Sequence, residues 1–194
     1  MILDLIRHAS TGRDGYLDGR TDPALEAGSS DALCARYAAP TLAWERVLCS
    51  PRQRAVATAE ALAVPRGLQP QPDEEWAELD FGDWDGVQLD ELPMAQVSAF
   101  HLDPHANPPP HGESWGHFER RIARGLHRLL DEADPVPTLI VSHGGPLRMV
   151  LSQVCGLPMA MCWALRIDYG TRLQLRVERE DDRLWGELLE LQQP

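Results

Sequence analysis

The chain has 194 residues, of which 43% are hydrophobic and 25% charged, and its formal net charge is −12. That balance is ordinary for a globular protein, and a prior of about 100 to 200 residues per domain predicts one domain over residues 1–194. The acid surplus repels nucleic acid over most of the surface, and no long apolar span or secretory leader is seen. Neither nucleic acid nor membrane is therefore an expected partner, and the cytoplasm is the expected location. A small anionic ligand stays allowed, because distant charges are screened within about 10 Å and a few converging arginines set the local potential. Cys34, Cys49, Cys155 and Cys162 form no CxxC pair and sit in apolar settings, so they are read as packing residues.

In chain order, Ile2-Leu3-Asp4-Leu5-Ile6 reads as a buried strand leading into Arg7-His8. A glycine-rich loop, Thr11 to Gly19, follows without the spacing of a Walker loop, and a helix is expected from about Pro23 to Tyr37. Arg46-Val47-Leu48-Cys49 is a second strand. Ser50-Pro51 resembles an N-cap with proline at the first helical position, which predicts a helix from Arg52 to Leu62. Pro65, Pro70 and Pro72 punctuate a linker with a short extended piece. Trp76 to Trp84 then mixes acids and aromatics, as expected for a loop at the edge of a site.

Leu89 to His101 has a helical pattern, and the proline-rich stretch Asp103 to Gly112 cannot continue it. Residues 84–113 are expected to form an irregular cap or lid over a cleft. Ser114 offers an N-cap to an amphipathic helix through Leu130, with Phe118, Ile122, Leu126, Leu129 and Leu130 on the buried face. Thr138-Leu139-Ile140-Val141-Ser142 is a third strand, feeding through His143-Gly144-Gly145-Pro146 into a helix whose amino end favours an anion. Alternation in Leu173–Val177 and Leu184–Leu188 predicts two antiparallel edge strands.

Ligands of open α/β sheets collect at the carboxyl ends of parallel strands, so His8 and His143 are expected to meet in one cleft. Arg7 and Arg54 would add two guanidinium forks. That set suits a phosphoryl group, whose transfer spreads negative charge over three oxygens and needs fixed positive charge with an in-line nucleophile. His101, His105, His111 and His117 lie close in sequence, but Pro104 breaks the i,i+4 geometry of the first pair and no HExxH occurs, so no metal site is expected.

Leu5-Ile6-Arg7-His8-Ala9-Ser10-Thr11, Cys49-Ser50-Pro51-Arg52-Gln53-Arg54-Ala55 with Thr58-Ala59, and Val141-Ser142-His143-Gly144-Gly145 resemble, in order, the signatures of the histidine phosphatase superfamily. The resemblance implies a three-layer α/β/α fold with a doubly wound, mostly parallel sheet and antiparallel edge strands near the C-terminus. It implies His8 as a nucleophile forming phosphohistidine, Arg7, Arg54 and His143 as ligands of the phosphoryl group, and Glu78 as proton donor and then base. Asp80 and Asp83 are nearby competitors on the residues alone. No cofactor or metal is implied. The expected partner is a small phosphorylated metabolite, and the chain is expected to be a monomer or homodimer.

Phe81-Gly82-Asp83-Trp84, Pro110-His111-Gly112-Glu113-Ser114 with Phe118 and Arg121, and the stretch from His143 to Pro158 are most similar to the α-ribazole phosphatase branch. That implies removal of the 5′-phosphate of α-ribazole 5′-phosphate in cobalamin assembly, with Trp84 or Trp115 available to stack on a flat base. Another small-molecule histidine phosphatase, a cofactor-dependent phosphoglycerate mutase and a phosphate-binding module without turnover are the rival readings. Ala9 and Ser10 stand where the family usually has glycine and glutamate, and Asp14 stands near a position where many relatives bind phosphate through asparagine.

Overall fold

A computed structural model of the chain describes residues 1–38, 43–181 and 183–194. Its strands are β1 (Ile2–Arg7), β2 (Arg46–Cys49), β3 (Pro70–Pro72), β4 (Thr138–Ser142), β5 (Arg172–Glu180) and β6 (Arg183–Gln192), ordered β3-β2-β4-β1-β5-β6 in one sheet. β3, β2, β4 and β1 run parallel, and β5 and β6 are antiparallel additions on the β1 side, with β6 outermost. Crossovers through helices are what parallel neighbours require.

The period-two alternation of the strands divides the core into two layers. Ile6, Val47, Cys49, Leu139 and Val141 face one side, under α1 (Ser29–Arg36) and α2 (Gln53–Ala63). Leu3, Leu5, Leu48, Ile140 and Leu173 face the other, under α4 (Trp115–Leu130) and α5 (Gly144–Cys155). In α4 the side chains of Phe118, Ile122, Leu126 and Leu129 are buried at helical spacing, and each contributes roughly 1.5 to 3 kcal/mol by leaving water. Ser114 caps that helix by accepting the His117 N–H, while Leu130 is half-buried. α3 (Met94–Leu102) and the short α6 (Met159–Cys162) complete the helices.

Three helix boundaries differ from the sequence expectation. The helix expected from Pro23 starts only at Ser29, because Gly28 takes a left-handed φ of 78° and the segment before it is drawn to the loop after β1, where the Glu26 N–H donates to Ser10 O at 2.7 Å. Ser50 does not cap α2; Arg52 occupies the cap position with ψ 135°, and the Ser50 hydroxyl turns toward the sheet instead. The helix expected from Leu89 is broken into a 3₁₀ turn, Leu89–Glu91, and α3, since Leu92 before Pro93 is extended (φ −81°, ψ 152°).

Parallel register puts the carboxyl ends of β1, β2 and β4 at one edge of the sheet: Arg7 lies opposite Ser142 and Cys49 opposite Val141. The residues that follow these strands, His8, Ser50 and His143, emerge together.

Candidate active site

His8 and His143 approach with ring centroids 5.0 Å apart, edge to face, and both are buried. His8 Nδ1 lies 2.8 Å from the Ala9 carbonyl, and its Nε2 lies 3.2 Å from Arg54 Nε. A carbonyl only accepts and a guanidinium only donates, so the two contacts fix the tautomer: hydrogen on Nδ1, lone pair on Nε2. Burial, reinforced by Arg54 and then Arg7, pushes the His8 pKa well below its usual value against the opposing Ala9 carbonyl. The same burial, with Arg54, His8, Arg7 and Arg52, lowers His143. Both rings are neutral at physiological pH, and His8 presents a basic nitrogen within the arginine cluster.

Arg54 rises from the first turn of α2 and is held by backbone as much as by charge. Its Nη1 donates to Thr21 O (2.8 Å) and Asp22 Oδ1 (3.0 Å), and its Nη2 donates to Asp18 O (2.6 Å). The loop supplying those carbonyls is itself clamped, because the Asp85 carboxylate accepts the N–H groups of Gly19, Arg20 and Thr21 and the Thr21 hydroxyl. Arg7 donates from Nη1 to Ile167 O at 2.7 Å, and its guanidinium carbon lies 4.0 Å from the centre of the Tyr169 ring. Its Nε is buried without a partner among the described residues, a donor left for a ligand.

Glu78 reaches the same cleft from the loop after the 3₁₀ turn Glu74–Trp76. Arg121 holds that loop by donating to the carbonyls of Glu75, Ala77 and Glu78 at 2.9, 2.7 and 3.0 Å, while pairing with Glu113. The Glu78 carboxylate accepts the N–H of Leu79 at 2.9 Å and that of Gly145, in the first turn of α5, at 3.1 Å. Gly145 is required by that approach, since a Cβ there would collide with Glu78 Oε1.

These groups surround a cavity of about 180 Å³ with two chemically distinct ends. Arg7, His8, Arg54 and His143 line one end; Phe81, Phe100, Trp115, Phe118 and Trp163 line the other, and Glu78 lies in the wall with them. Such an arrangement can bind a phosphoryl group, attack it from a neutral imidazole, and hold an apolar leaving group against aromatic faces.

The family description "Histidine phosphatase superfamily (branch 1)" matches residues 3–186. The chain belongs to the histidine phosphatase superfamily. Within that superfamily it is 31% identical over 176 residues to the adenosylcobalamin/alpha-ribazole phosphatase of Escherichia coli (strain K12), covering 88% of this chain and 87% of that protein. The crystal structure of the alpha-ribazole phosphatase from Shigella flexneri matches with a TM-score of 0.80 at 28% identity, over 97% of this chain and 96% of that one. The native mycobacterial glucosyl-3-phosphoglycerate phosphatase, at 23% identity and TM-score 0.82 over 96% of each chain, shares the fold. This member of the superfamily is thus a phosphatase-type enzyme, and its three-layer sheet is that of its relatives.

All five site residues expected from the sequence, Arg7, His8, Arg54, Glu78 and His143, line this one cavity. Of the competing acids, Asp80 is paired with Arg20 and Asp83 with His111, and neither lines it. Asp14 is exposed and does not line it either. Ala9 has no positive φ, so its methyl group is tolerated, and its N–H donates to Thr58 Oγ1 at 3.0 Å. Ser10 donates to Glu26 at 2.9 Å, so the carboxylate beside this loop comes from α1's approach. Trp115 lines the cavity, whereas Trp84 packs behind Phe100, with ring centroids 5.8 Å apart.

Sequence reasoning missed Tyr169, Arg148 and the partner of His143. Tyr169 lies just before β5, and nothing in its neighbourhood marks it. Arg148 follows His143 by little more than one helical turn, a spacing that could have flagged it. Of the clustered histidines, His101 stacks on Trp163 at 5.0 Å and lines the cavity, while His105, His111 and His117 pair with Glu119, Asp83 and Glu113 on the surface. No helix among the described residues is long and apolar enough to cross a membrane.

Proposed function

We propose that the protein hydrolyses a small phosphomonoester through a phosphohistidine on His8, with no metal or cofactor, and that its substrate is α-ribazole 5′-phosphate. The observation that carries the reading is the fixed tautomer of His8, whose Nε2 lone pair lies among Arg7, Arg54 and His143. In the first step Nε2 forms a bond to phosphorus as the ester P–O bond breaks, and Glu78 gives its proton to the departing alcohol oxygen. In the second step water attacks the phosphohistidine, Glu78 takes the proton, and inorganic phosphate leaves with His8 restored. Arg7, Arg54 and His143 stabilise the three equatorial oxygens in both.

The aromatic end of the cavity supports a leaving group with a flat apolar ring, which α-ribazole has. It argues against a phosphoglycerate mutase, whose substrate carries a carboxylate there. Arg148, which lines the cavity 5.8 Å from the centre of the Trp163 ring, spends Nε, Nη1 and Nη2 on the carbonyls of Cys162, Gly144 and Leu165. Residues 84–113 act in this reading as a cap, contributing Phe100 and His101 to the leaving-group side. The name of the Escherichia coli relative supports the substrate, and the cytoplasm is the matching compartment.

The test is phosphate release from α-ribazole 5′-phosphate in the presence of a chelator, for wild type and His8→Ala. Release by wild type alone, with ³²P trapped on His8 after acid-free quenching, is the expected result. Equal release by both proteins sinks the mechanism, and phosphate moving between carbons of phosphoglycerate establishes the mutase instead.

A further inference from the structure

One hydrogen bond of the site comes from a residue that does not line the cavity. Ser50, the first residue after β2, is wholly buried, and its Oγ lies 2.7 Å from Nε2 of His143. The same oxygen accepts the backbone N–H of Arg52 at 3.3 Å. The other nitrogen of the imidazole, His143 Nδ1, is buried and has no partner among the described residues.

Counting donors decides which way the Ser50–His143 bond runs. A neutral imidazole carries one ring hydrogen. If it sits on Nε2 and points at Ser50, the hydroxyl oxygen receives two donors, and its own hydrogen has no acceptor among the described residues. The Nδ1 lone pair is then a second orphan, on a ring that lines a cavity that is to hold an anion. If the hydroxyl donates to Nε2, Ser50 is satisfied on both sides and the ring hydrogen moves to Nδ1. A single unpaired group is left, an N–H donor in the wall of the cationic end. Buried polar groups are rarely left unpaired without a reason, and a phosphoryl oxygen is an acceptor that removes this one.

We propose that Ser50 is the positioning residue of His143: its hydroxyl donates to Nε2, sets the hydrogen on Nδ1, and makes the ring a neutral donor to a phosphoryl oxygen. This rests on the reading that the cationic end binds phosphate. The burial and cationic surroundings that keep His143 uncharged make the tautomer matter, since a protonated ring would donate from both nitrogens whatever Ser50 did.

The deciding measurement is ¹⁵N NMR of the histidine side chains in the full-length protein near neutral pH, with the His143 signals identified by their loss in His143→Gln. The expected spectrum has a protonated Nδ1 and a bare Nε2, with the Nδ1–H resonance shifting when inorganic phosphate or vanadate is added. Ser50→Ala is expected to remove the tautomer preference and to weaken vanadate binding about 10- to 100-fold, the scale of losing one oriented donor. KM should change much less than kcat, and Ser50→Thr, which keeps the hydroxyl, should restore most of the loss. A wild-type ring protonated on Nε2, or vanadate affinity unchanged in Ser50→Ala, overturns the proposal. The wild-type spectrum decides it even if the alanine variant does not fold. A correct tautomer in a protein that releases no phosphate from any monoester would overturn the proposed reaction while leaving the Ser50 assignment standing.

Discussion

The floor of the cleft, where His8 and His143 leave the strand ends, and the segment 84–113 are built on opposite terms. On the floor, His8, His143 and Arg54 are each no more than 4% exposed; His8 and Arg54 are oriented by backbone carbonyls, those of Ala9 and of Asp18 and Thr21, and His143 by the hydroxyl of Ser50. The segment above has 3₁₀ turns, the short α3 and a proline-rich stretch, and its ion pair between His111 and Asp83 has side chains 85% and 59% exposed. Among the described residues, only Phe100 and His101 line the cavity from it. In the proposed reaction the contrast separates two tasks: the phosphoryl chemistry is placed where hydrogen bonds are dry and over-determined, and leaving-group recognition falls to the segment 84–113, which is tied back to the floor through the Asp85 clamp on the loop that holds Arg54.

The strongest way to break that division is at Arg54. Arg54→Met keeps much of the side chain's bulk but removes four hydrogen bonds to His8, Thr21, Asp22 and Asp18. If the floor carries the chemistry, kcat/KM for phosphate release should fall by about 10³-fold, or roughly 4 kcal/mol, with every substrate alike. A loss that depends on the leaving group would show that floor and cap are not separable.

The next effect is one of pH. Burial holds the pKa of both floor histidines well below the usual imidazole value of about 6.5. Below that value the unfolded chain protonates the two rings while the folded protein keeps them neutral, so the unfolded state binds more protons and stability falls as pH falls. Between pH 7.5 and 5.5 the pair should remove about 2 to 3 kcal/mol, read from urea midpoints. His143→Gln should roughly halve the slope. A flat profile would mean that the floor is wetter than its geometry shows.

How much of this was legible in the sequence follows the same division. His8 and His143 stand out because a buried strand ends at each, and parallel register makes strand ends converge whatever their separation along the chain. Arg54 was within reach because α2 starts directly after β2. Glu78 was selected only through family resemblance, since its place depends on Arg121, 43 residues away in the chain, holding its carbonyl. Ser50 was misread because Ser-Pro ahead of a helix is a sound local signal, and a tertiary partner, His143, won the hydroxyl. Tyr169 reaches Arg7 only because β5 pairs antiparallel with β1, which no local pattern encodes. The helix start at Ser29 was missed because the pattern ran through Gly28, whose left-handed conformation ends it.

Two glycine substitutions, one on each side of the cleft, sharpen the comparison with smaller effects. Gly145→Ala places a methyl group against Glu78 Oε1 at a position where alanine is otherwise welcome, within the first turn of α5. The helix should be unharmed and the carboxylate displaced, so alkyl phosphates, which need a proton on the departing oxygen, should slow by about tenfold or more, and activated aryl phosphates much less. Equal slowing of both classes would count against Glu78 as the acid.

His111→Gly is the counterpart above. His111 adopts a φ of 57°, which costs a residue with a Cβ about 1 kcal/mol, and its exposed pair with Asp83 returns at most a similar amount. Glycine removes both terms, and the added freedom of the unfolded chain opposes the gain. The net change in stability should lie within about 1 kcal/mol of zero by urea denaturation, with kcat/KM unaltered. A larger loss, or slower phosphate release, would show that this exposed turn is mechanically tied to the floor. The route would be the backbone hydrogen bonds from the Asp83 N–H to Pro110 O and from the Glu113 N–H to Asp80 O, which tie the turn to the loop that carries Glu78.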